Sequence, residues 1–374
     1  MTDDRRPPPR VAIGPTDVAG TASALAYGMQ AIGVDAEVVL SIPPYGSPSV
    51  PVLSRRARLA YALSAPSRRD VFHYQFGITW LPWYLDAFWA RGRRRTLVVT
   101  YHGDDCRSYR LARVLFLPRG RAGVGDRDDW VRRRMRRLSR VCDAALVADL
   151  ELATYVAPVF RRVYVTPLPL HADVEAEPRE PRADRRPLVV LHAPSDPQIK
   201  GTAAIVRAVE AVARRHAVAL RLVTGVTHEQ VLRELRSADI VVDQLNSVTS
   251  GVFALEAMAL GLPVLGEVDA SALPQYQTDL PIVRVEPETL EAELEALVQD
   301  PARRERLADE GRGYVARIHD PLTVAAIVLQ IYQHARHGEP GVYEATGDGI
   351  VPLSTERWRE LDRRSRRSRT PGRV

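Results

Sequence analysis

The sequence predicts an α/β protein with two doubly wound parallel sheets, and three observations lead to this fold class. The chain has 374 residues, which exceeds the usual size of a single hydrophobic core. Short valine-rich runs alternate with segments of helical period in both halves, as strands and helices do in parallel sheets. A proline-rich, highly charged stretch, residues 173–187, separates the halves. We interpret it as an interdomain linker, because nothing in it could be buried to offset the entropy lost on ordering.

The first half, residues 1–172, is expected to form the N-terminal domain. Amphipathic helices are predicted at Thr21–Ile32 and Trp130–Val141. Short runs of β-branched and aromatic residues bounded by polar residues are typical of strands. Six strands are predicted on this basis, at Val11–Gly14, Ala36–Ser41, Val71–Phe76, Thr96–Tyr101, Ala144–Ala148 and Val163–Pro167.

The second half, residues 188–318, repeats the alternation of strands and helices. A helix is predicted at Thr202–Arg215, where Ile205, Val209 and Val212 form one apolar face. The predicted strands have the sequences LVVLHAP, LRLVTG, DIVVDQL, PVLGEV and PIVRVEP. A second doubly wound sheet is therefore expected.

The end of the chain divides into a helix and a polar tail. Residues 319–337 contain an amphipathic segment, Pro321–His337, which predicts a late helix. The arginine-rich remainder, residues 338–374, is expected to be loosely ordered.

Composition places the chain among ordinary globular proteins. Hydrophobic residues make up 45% and charged residues 26% of the sequence. No stretch approaches the roughly 18 apolar residues of a membrane span, and the N-terminal MTDDRRPPPR lacks the apolar core of a signal peptide. We therefore expect a cytoplasmic location. Cys106 and Cys142 cannot form a disulfide framework and have no CxxC partner for zinc or redox chemistry.

The formal net charge of +6 suggests an anionic partner, which could be nucleic acid, a phospholipid surface or a phosphorylated ligand. Aromatic residues are only 6% and do not alternate with the arginine runs, so nucleic acid is not expected. The run Arg132–Arg137 is either a solvated helix face or a peripheral contact with an anionic membrane, such as the inner membrane face.

Lys200 is the only lysine among 52 basic residues, and it stands at a strand-to-helix junction, LHAPSDPQIKGT. Ligands bind outside the carboxyl ends of strands in doubly wound sheets, where helix N-termini offer N–H groups to phosphate. A compact ammonium on a flexible stem suits a diphosphate, and Thr202 is expected to cap the helix. The alternative is that one lysine survived by chance in an arginine-rich composition.

A second junction, ADIVVDQLNSVTSGVFALEAMALGLPVL, follows the same scheme. The small residues of Ser247–Gly251 can bring backbone amides close to an anion. Glu256 lies five residues after Gly251, in the first turns of the next helix. Its carboxylate is either directed at a ligand or merely stabilised by the helix dipole.

Together, SDPQIKGT and GVFALEAMALGLPV resemble the donor-binding half of family 4 glycosyltransferases, retaining enzymes of the GT-B fold. The resemblance implies two Rossmann-like domains that face a cleft, with the late helix crossing back to the first domain. It also implies that Lys200 neutralises a nucleotide diphosphate and that Glu256 holds the ribose hydroxyls. The implied donor-binding residues are Lys200, Gly201, Ser250, Gly251, Val252 and Glu256.

The N-terminal half carries a thinner resemblance to the same family. The loop from Gly14 to Thr21 looks like the family's glycine-containing loop beside the sugar cleft, although a tight turn alone would explain Gly20. His102, followed by Gly103, ends a predicted strand where the family has a histidine that faces the donor sugar. A structural histidine is the alternative. The resemblance implies that His102 and Lys200 are the catalytic residues.

The sequence departs from the family pattern at two places. Pro194 and Ser195 stand where the family usually has an arginine before the lysine, so one phosphate-binding charge is missing or comes from elsewhere. Val248 replaces the first glutamate of the E-x7-E pattern, which in the family contacts the sugar hydroxyls. These departures bear on the identity of the donor sugar and on catalysis itself.

Asp104 and Asp105 are adjacent carboxylates of the kind that hard cations favour. The GT-B arrangement replaces metal with lysine and helix dipoles, so neither a metal nor a cofactor is expected.

The leading interpretation is a metal-independent retaining glycosyltransferase. It would move a sugar from a nucleotide-sugar donor, with UDP or GDP favoured, to an unidentified glycan, lipid-linked or small-molecule acceptor. One alternative is a GT-B protein that binds sugar nucleotide or glycan without turnover. The other is a protein that binds an anionic surface.

Overall fold

The computed structural model describes residues 7–43, 52–108, 112, 125–170, 187–198, 200–245, 248–358 and 361. The chain divides into two compact units. The first unit comprises Met1–Arg107, Asp126–His171 and Pro321–Thr355. The second comprises Ser108–Gly125, Ala172–Asp320 and Glu356–Val374. The stretch expected to be the linker, residues 173–187, lies outside the described residues except for Pro187.

The first unit is built on a parallel sheet whose strands are nearly all apolar. Its first six strands are β1 Val11–Gly14, β2 Ala36–Val38, β3 Val71–Gln75, β4 Thr96–Thr100, β5 Ala144–Val147 and β6 Arg162–Val165. Its helices, in the same order, are α1 Thr21–Ala31, α2 Arg55–Arg68, α3 Leu85–Gly92, α4 Gly125–Leu138 and α5 Leu150–Val156. Strands β1, β3, β4 and β5 are buried throughout, as expected for a parallel sheet covered on both faces.

The second unit contains a five-stranded parallel sheet. Its strands are β7 Leu188–His192, β8 Val218–Leu222, β9 Ile240–Val242, β10 Val264–Gly266 and β11 Val283–Arg284. Its helices are α6 Thr202–Ala213, α7 His228–Arg236, α8 Val252–Ala259, α9 Leu290–Gln299 and α10 Pro301–Ile318. Ile205, Val209 and Val212 of α6 are fully buried, so the predicted apolar face does face the core. The predicted α/β class with two parallel sheets is confirmed.

The chain then returns to the first unit through α11, Pro321–His337, as predicted for the late helix. Helix α11 packs on α1 at Gly28, where an added Cβ would lie only 2.0 Å from the carbonyl oxygen of Pro321. The helices can approach this closely because position 28 has no side chain. Tyr332 of α11 hydrogen-bonds through its hydroxyl to Nδ1 of His73 on β3, at 2.7 Å.

Part of the tail differs from the expectation of loose order. Residues 341–352 form two more strands, β12 Gly341–Thr346 and β13 Gly349–Pro352, which extend the first sheet. The sheet order is β13-β12-β6-β5-β4-β3-β1-β2, with β12 parallel to β6 and antiparallel to β13. Strand β12 pairs the backbone groups of β6 that would otherwise form an open edge. Residues 362–374 lie outside the described part of the chain.

Within the described ranges, no helix combines the length and the apolar character that crossing a bilayer requires.

Candidate active site

The strand order of the second unit places its candidate site. The order is β11-β10-β9-β7-β8. From β7 the chain passes to β8 on one side. It then returns to β9 on the other side of β7 and continues outward to β10 and β11. Ligands bind at such a switch point, outside the carboxyl ends of the two central strands. Lys200 lies in the connection that follows β7, and Asp243 directly follows β9. The two junctions singled out in the sequence therefore meet at the switch point of this sheet.

The Lys200 ammonium lies beside the end of β9 and is only partly exposed. It donates a hydrogen bond to the Oε1 atom of Gln244. Its Nζ atom is 3.8 Å from Oδ1 of Asp243. A Cβ built on Gly251 would be 3.9 Å from the same Nζ, so the ammonium reaches the N-terminus of α8. The lysine and the glycine-containing loop, 51 positions apart in the sequence, therefore lie side by side in the second unit.

Asp243 supplies a negative charge that the sequence interpretation did not include. Its side chain is buried, and Oδ2 accepts a hydrogen bond from the backbone N–H of Gly251 at 3.3 Å. The carboxylate therefore lies between the ammonium and the positive end of α8, where it partly neutralises both. The surroundings of Lys200 are less cationic than the ammonium and the helix dipole alone would make them.

The loop before α8 is held in place from β9. Gln244, which accepts the hydrogen bond of Lys200, also donates from Nε2 to the carbonyl oxygen of Thr249 at 2.8 Å. Gly251 is the N-cap of α8, followed by Val252 as its first residue, and no side chain caps the helix. Among the described residues, the buried Ser250 hydroxyl has no hydrogen-bond partner. Ser247 lies outside the described residues. A hydroxyl donor and unfilled helix N–H groups therefore lie beside Lys200.

Glu256 is buried and paired with a histidine that sequence reasoning missed. Its Oε1 atom is 2.6 Å from Nε2 of His228, the first residue of α7. A capping box formed by Thr227 and Gln230 fixes the start of α7 and thereby the position of His228. With one carboxylate oxygen of Glu256 held by the histidine, the other oxygen is the natural acceptor for a ligand hydroxyl.

A second histidine, His192, connects the strands below Lys200. Its Nδ1 atom is 2.8 Å from the carbonyl oxygen of Val242, and Nε2 is 2.9 Å from the hydroxyl of Thr202. Nδ1 must donate to the carbonyl, so Nε2 accepts from the hydroxyl. Burial lowers the pKa of His192, which keeps the ring neutral. The expected cap by Thr202 is wrong, because its hydroxyl is bound to His192 and Gly201, in the left-handed conformation, is the N-cap of α6.

The two departures from the family pattern have structural counterparts. Val248 is buried at 1% exposure, so a hydrophobic side chain fills the core where the family has a glutamate. Pro194 is also buried, and Ser195 is exposed. Neither position supplies a charge near Lys200.

In the first unit, the loop from Gly14 to Thr21 is shaped by its own backbone. A Cβ on Gly14 would lie 2.3 Å from the carbonyl oxygen of Val39, so the strand end requires glycine. Gly20 has φ 74°, which supports the tight-turn explanation for this glycine. Thr21 donates its hydroxyl to the carbonyl of Val18 at 2.8 Å.

Asp17 occupies the N-terminus of α1. Its buried carboxylate accepts hydrogen bonds from the backbone N–H groups of Ala22, at 2.8 Å, and Ser23, at 3.1 Å. It also accepts from the Ser23 hydroxyl at 2.6 Å. These contacts use donors that a bound anion would otherwise take at this helix. The loop is therefore suited to neutral ligand groups rather than to phosphate.

His102 lies just beyond β4 and contacts the end of β3. Its Nε2 atom is 2.8 Å from Oε1 of Gln75, and this contact requires a proton on Nε2. Burial lowers the pKa of His102 to about 4. The ring is thus neutral near pH 7 and can orient a polar group through Nδ1, but it does not carry charge. Gln75 and His102 share the carboxyl edge of adjacent strands.

The adjacent carboxylates Asp104 and Asp105 do not converge. Asp105 accepts from the backbone N–H groups of His102 and Gly103 at 3.0 and 2.9 Å, and burial raises its pKa to about 6. Asp104 contacts Nη1 of Arg107 at 3.3 Å, and the same guanidinium is bidentate to Glu151. Across the part of the chain that the structure describes, no three His, Cys, Asp or Glu residues are grouped to hold a metal ion.

The sequence interpretation missed three of the site residues, Asp243, Gln244 and His228. The first two directly follow a buried strand in DIVVDQL, and an acid at a carboxyl strand end is a signal that could have been used. His228 offered no such signal, because its pairing with Glu256 depends on the packing of α7 against α8.

No model of a known protein family matches this sequence, and no curated protein is similar to it in sequence. Solved structures of glycosyltransferases do resemble it. Sucrose-phosphate synthase (tll1590) from Thermosynechococcus elongatus aligns with a TM-score of 0.57 over 88% of this chain and 99% of that chain, at 15% identity. WaaG, a glycosyltransferase involved in lipopolysaccharide biosynthesis, aligns at 0.56 over 86% and 99%, with 14% identity.

Anabaena HepE (Alr3699), solved in complex with UDP-glucose, aligns with a TM-score of 0.57 over 87% of this chain and 99% of that chain, at 12% identity. At such identities the likeness concerns the fold. The chain has the GT-B fold, with two Rossmann-like units, that these glycosyltransferases share.

Proposed function

We propose that this chain is a glycosyltransferase that moves a sugar from a nucleotide-sugar donor to an acceptor. The observation that carries the proposal is the convergence of Lys200 and the N-terminus of α8 at the switch point of the second sheet. A partly exposed ammonium, unfilled helix N–H groups and the hydroxyl of Ser250 are donors suited to a diphosphate. The GT-B fold, shared with a protein solved with UDP-glucose, supports the same conclusion.

The chemical role of these donors is to stabilise the leaving group. When the bond between sugar and diphosphate breaks, negative charge grows on the phosphate oxygens. Lys200 would turn from Gln244 toward these oxygens, while the amide of Val252 and the hydroxyl of Ser250 contribute hydrogen bonds. Gly251, whose own N–H is held by Asp243, would let the phosphate approach because it has no side chain. This arrangement needs no metal ion, and we propose a metal-independent reaction that retains the anomeric configuration, as in the family 4 enzymes that the motifs resemble.

The remaining site residues would bind the two ends of the donor. Glu256, held on one side by His228, would accept hydrogen bonds from the ribose hydroxyls, with UDP or GDP as the nucleotide. The neutral His102, held by Gln75 beside Gly103, would orient the sugar. Gly14, Gly20 and Thr21 would border the sugar and the acceptor, which is a glycan, a lipid-linked or a small molecule.

Binding of a sugar nucleotide without turnover is the second candidate. Asp243 places a negative charge 3.8 Å from the Lys200 ammonium, and Val248 leaves the site without the family's first glutamate. The charge of Asp243 weakens transition-state stabilisation more than ground-state binding, because the diphosphate charge is greatest as the bond breaks. Val248 cannot make the contact to the sugar hydroxyls that the family's glutamate makes.

The test combines ligand binding with turnover. We expect one of the UDP, GDP, TDP or ADP sugars to raise the melting temperature of the purified protein, since a ligand that binds only the native state stabilises it. Lys200→Ala should weaken binding of that nucleotide roughly ten- to a hundredfold, which corresponds to the ~1.5–3 kcal/mol of a charged hydrogen bond. Arg207→Ala, an exposed cation on the same unit's α6, is the matched control and should change little.

Hydrolysis or transfer of the donor separates the two candidates. Turnover that disappears in Lys200→Ala supports the transferase. Binding that depends on Lys200 without any turnover supports the second candidate. A protein whose melting temperature responds to none of the four nucleotide sugars would contradict both.

A further inference from the structure

Helix α3 of the first unit carries large apolar side chains on its solvent-exposed side. Leu85, Phe88 and Trp89 stand at positions i, i+3 and i+4, which form one face of a helix, and all three are exposed. The opposite face contains Ala87 and Ala90, which are fully buried against the unit. The hydrophobic face of α3 is therefore directed away from the core, the reverse of an ordinary amphipathic surface helix.

Helix α2 continues this apolar surface. Leu59 and Leu63 lie one turn apart and are exposed at 49% and 56%. The indole Nε1 of Trp89 donates to the carbonyl oxygen of Leu63 at 3.3 Å, so the two helices lie side by side at this point. We use the name α2–α3 apolar face for the exposed residues Leu59, Leu63, Trp83, Leu85, Phe88 and Trp89.

Trp83 is held outward by unusual backbone geometry. It has φ 61° and the next residue, Tyr84, has φ 63°, a left-handed conformation that bulky residues rarely adopt. Tyr84 is buried, whereas Trp83 is 73% exposed, the highest value among the exposed large hydrophobic residues described. Backbone strain of this kind costs about 1–3 kcal/mol per residue and is characteristic of functional positions. The strain here places an indole in solvent.

The exposed charged side chains of α2 and α3 are all arginines. Neither α2 nor α3 has an exposed carboxylate, because their only acidic residue, Asp86, is buried and accepts the backbone N–H groups of Trp80 and Leu81 at 3.1 Å. The guanidinium of Arg93 lies 4.7 Å from the ring centroid of Trp89, and that of Arg137 lies 5.6 Å from that of Trp83. Further exposed arginines on or directly after these helices are Arg55, Arg56, Arg68, Arg91 and Arg94, of which Arg91 is paired with Asp143 at 2.5 Å.

This combination of charge and apolar area selects among possible partners. A second copy of the chain would oppose these arginines to their own equivalents, which is electrostatically unfavourable. A nucleic acid would satisfy the arginines but has no apolar region for Leu59, Leu63 and Leu85. An anionic bilayer satisfies both, because indole rings prefer the interface, aliphatic side chains enter the acyl boundary and arginines bind lipid phosphates.

We propose that the α2–α3 apolar face is a docking surface for an anionic lipid bilayer. Trp83, Phe88 and Trp89 enter the interface, and the surrounding arginines bind the headgroups. The contact expected from Arg132–Arg137 alone is thereby reassigned: Arg134 donates to the carbonyl of Gly77 at 2.9 Å, and Arg137 supports Trp83. The proposal is independent of the proposed transferase activity.

The experiment is co-sedimentation of the full chain with vesicles, either of phosphatidylcholine alone or of phosphatidylcholine mixed with phosphatidylglycerol. We expect binding to the mixed vesicles and little binding to the neutral ones. The double variant Trp83→Gly/Phe88→Gln should reduce binding at least tenfold, or about 1.4 kcal/mol. Glycine at position 83 relieves the left-handed strain and Phe88 is exposed, so the double variant is expected to keep the melting temperature of the wild type, which is measured alongside. Leu222→Gln, an exposed leucine of the second unit, is the matched control.

Three results would overturn the proposal. One is absence of binding to the mixed vesicles. Another is binding that the double variant leaves unchanged, because arginines alone would then account for it. The third is a self-association that the double variant abolishes, which would assign the face to a second copy of this chain.

Discussion

Asp243 determines how much positive charge Lys200 can offer to a ligand. Its carboxylate lies 3.8 Å from the ammonium and also accepts the N–H of Gly251. A diphosphate that approaches Lys200 therefore meets repulsion from Asp243 as well as attraction from the ammonium. Gln244 and Ser250 provide neutral dipoles that favour the ligand without adding charge. Release of a diphosphate product is easier from such a balanced site than from one with several unpaired cations.

At the scale of single residues, His228 is expected to act through Glu256. His228→Ala should weaken binding of the recognised nucleotide about tenfold, because the carboxylate loses the partner that orients it. The same variant should leave binding of the 2′,3′-dideoxy nucleotide unchanged, since that ligand has no ribose hydroxyls for Glu256. Isothermal titration calorimetry with both nucleotides measures the difference.

The control for this experiment is His216→Ala. His216 also pairs with a glutamate, Glu295, at the same 2.6 Å, but it follows the C-terminus of α6, whereas Lys200 precedes the N-terminus of that helix. It should affect neither nucleotide. An equal loss for the ribose and dideoxy nucleotides in His228→Ala would mean that the histidine supports the fold rather than ribose binding.

The candidate site was predictable from the sequence where it depends on local order along the chain. Lys200 and Gly251 follow strands and precede helices, and parallel topology brings such junctions to one edge. Side-chain pairing across elements was not predictable. The partner of Glu256 could not be read from the sequence because it depends on how α7 lies beside α8. The hydroxyl of Thr202 serves His192 for a similar reason, since His192 is buried and needs a donor.

At the scale of helices, the contact of α1 with α11 depends on Gly28. We expect Gly28→Ala to destabilise the protein by about 1–3 kcal/mol, because the new methyl group would overlap the carbonyl of Pro321 and overpacking has this cost. Alanine has the higher helix propensity by about 1 kcal/mol, so the predicted loss is opposite to the intrinsic effect. Denaturant unfolding measures it.

Gly313 provides a control of opposite sign. It lies inside α10, and a Cβ built there meets nothing within 4 Å. Gly313→Ala should therefore stabilise the protein by about 1 kcal/mol through helix propensity alone. Stabilisation by both substitutions would show that the α1–α11 contact can widen without cost.

Strands and helices whose apolar residues face the core were predictable from the sequence. Helices that direct apolar residues to solvent were not. Strand β1 and helix α11 begin and end where the sequence predicts. Helices α2 and α3 were not predicted, because α2 is rich in arginine and contains Pro66, and α3 directs its apolar face to solvent. Strands β12 and β13 were missed because the tail around them is polar and rich in arginine. Their order depends on the pairing of β12 with β6, which joins segments far apart in the sequence.

At the scale of the whole molecule, the return of α11 to the first unit places Tyr332 against the buried His73. The stability of this unit is therefore expected to depend on pH. Burial and the nearby His102 lower the pKa of His73 to about 3, and burial lowers that of His102 to about 4. In the unfolded chain both pKa values return to about 6.5. Between these limits the unfolded state binds more protons, so stability decreases as the pH falls below about 6.5.

The expected effect is measurable at mild pH. From pH 7 to pH 5, His73 alone should lower the free energy of unfolding by about 2 kcal/mol. Asparagine at position 73 does not titrate in this range. From pH 7 to pH 5 the free energy of unfolding of His73→Asn should therefore fall by about 2 kcal/mol less than that of the wild type, whatever the stability of the variant at pH 7. Urea unfolding at the two pH values gives the comparison. Equal losses in both proteins would mean that His73 does not remain neutral.

The return of α11 and β12 also has a consequence for biosynthesis. On the ribosome, residues 7–170 emerge first, yet their sheet edge at β6 and the cover over α1 are supplied by residues 321–352. Residues 187–320, which form the other unit, have all been synthesised by then. The part of the protein that is translated first is therefore completed last, and its half-built hydrophobic surface must be kept from aggregating while translation continues.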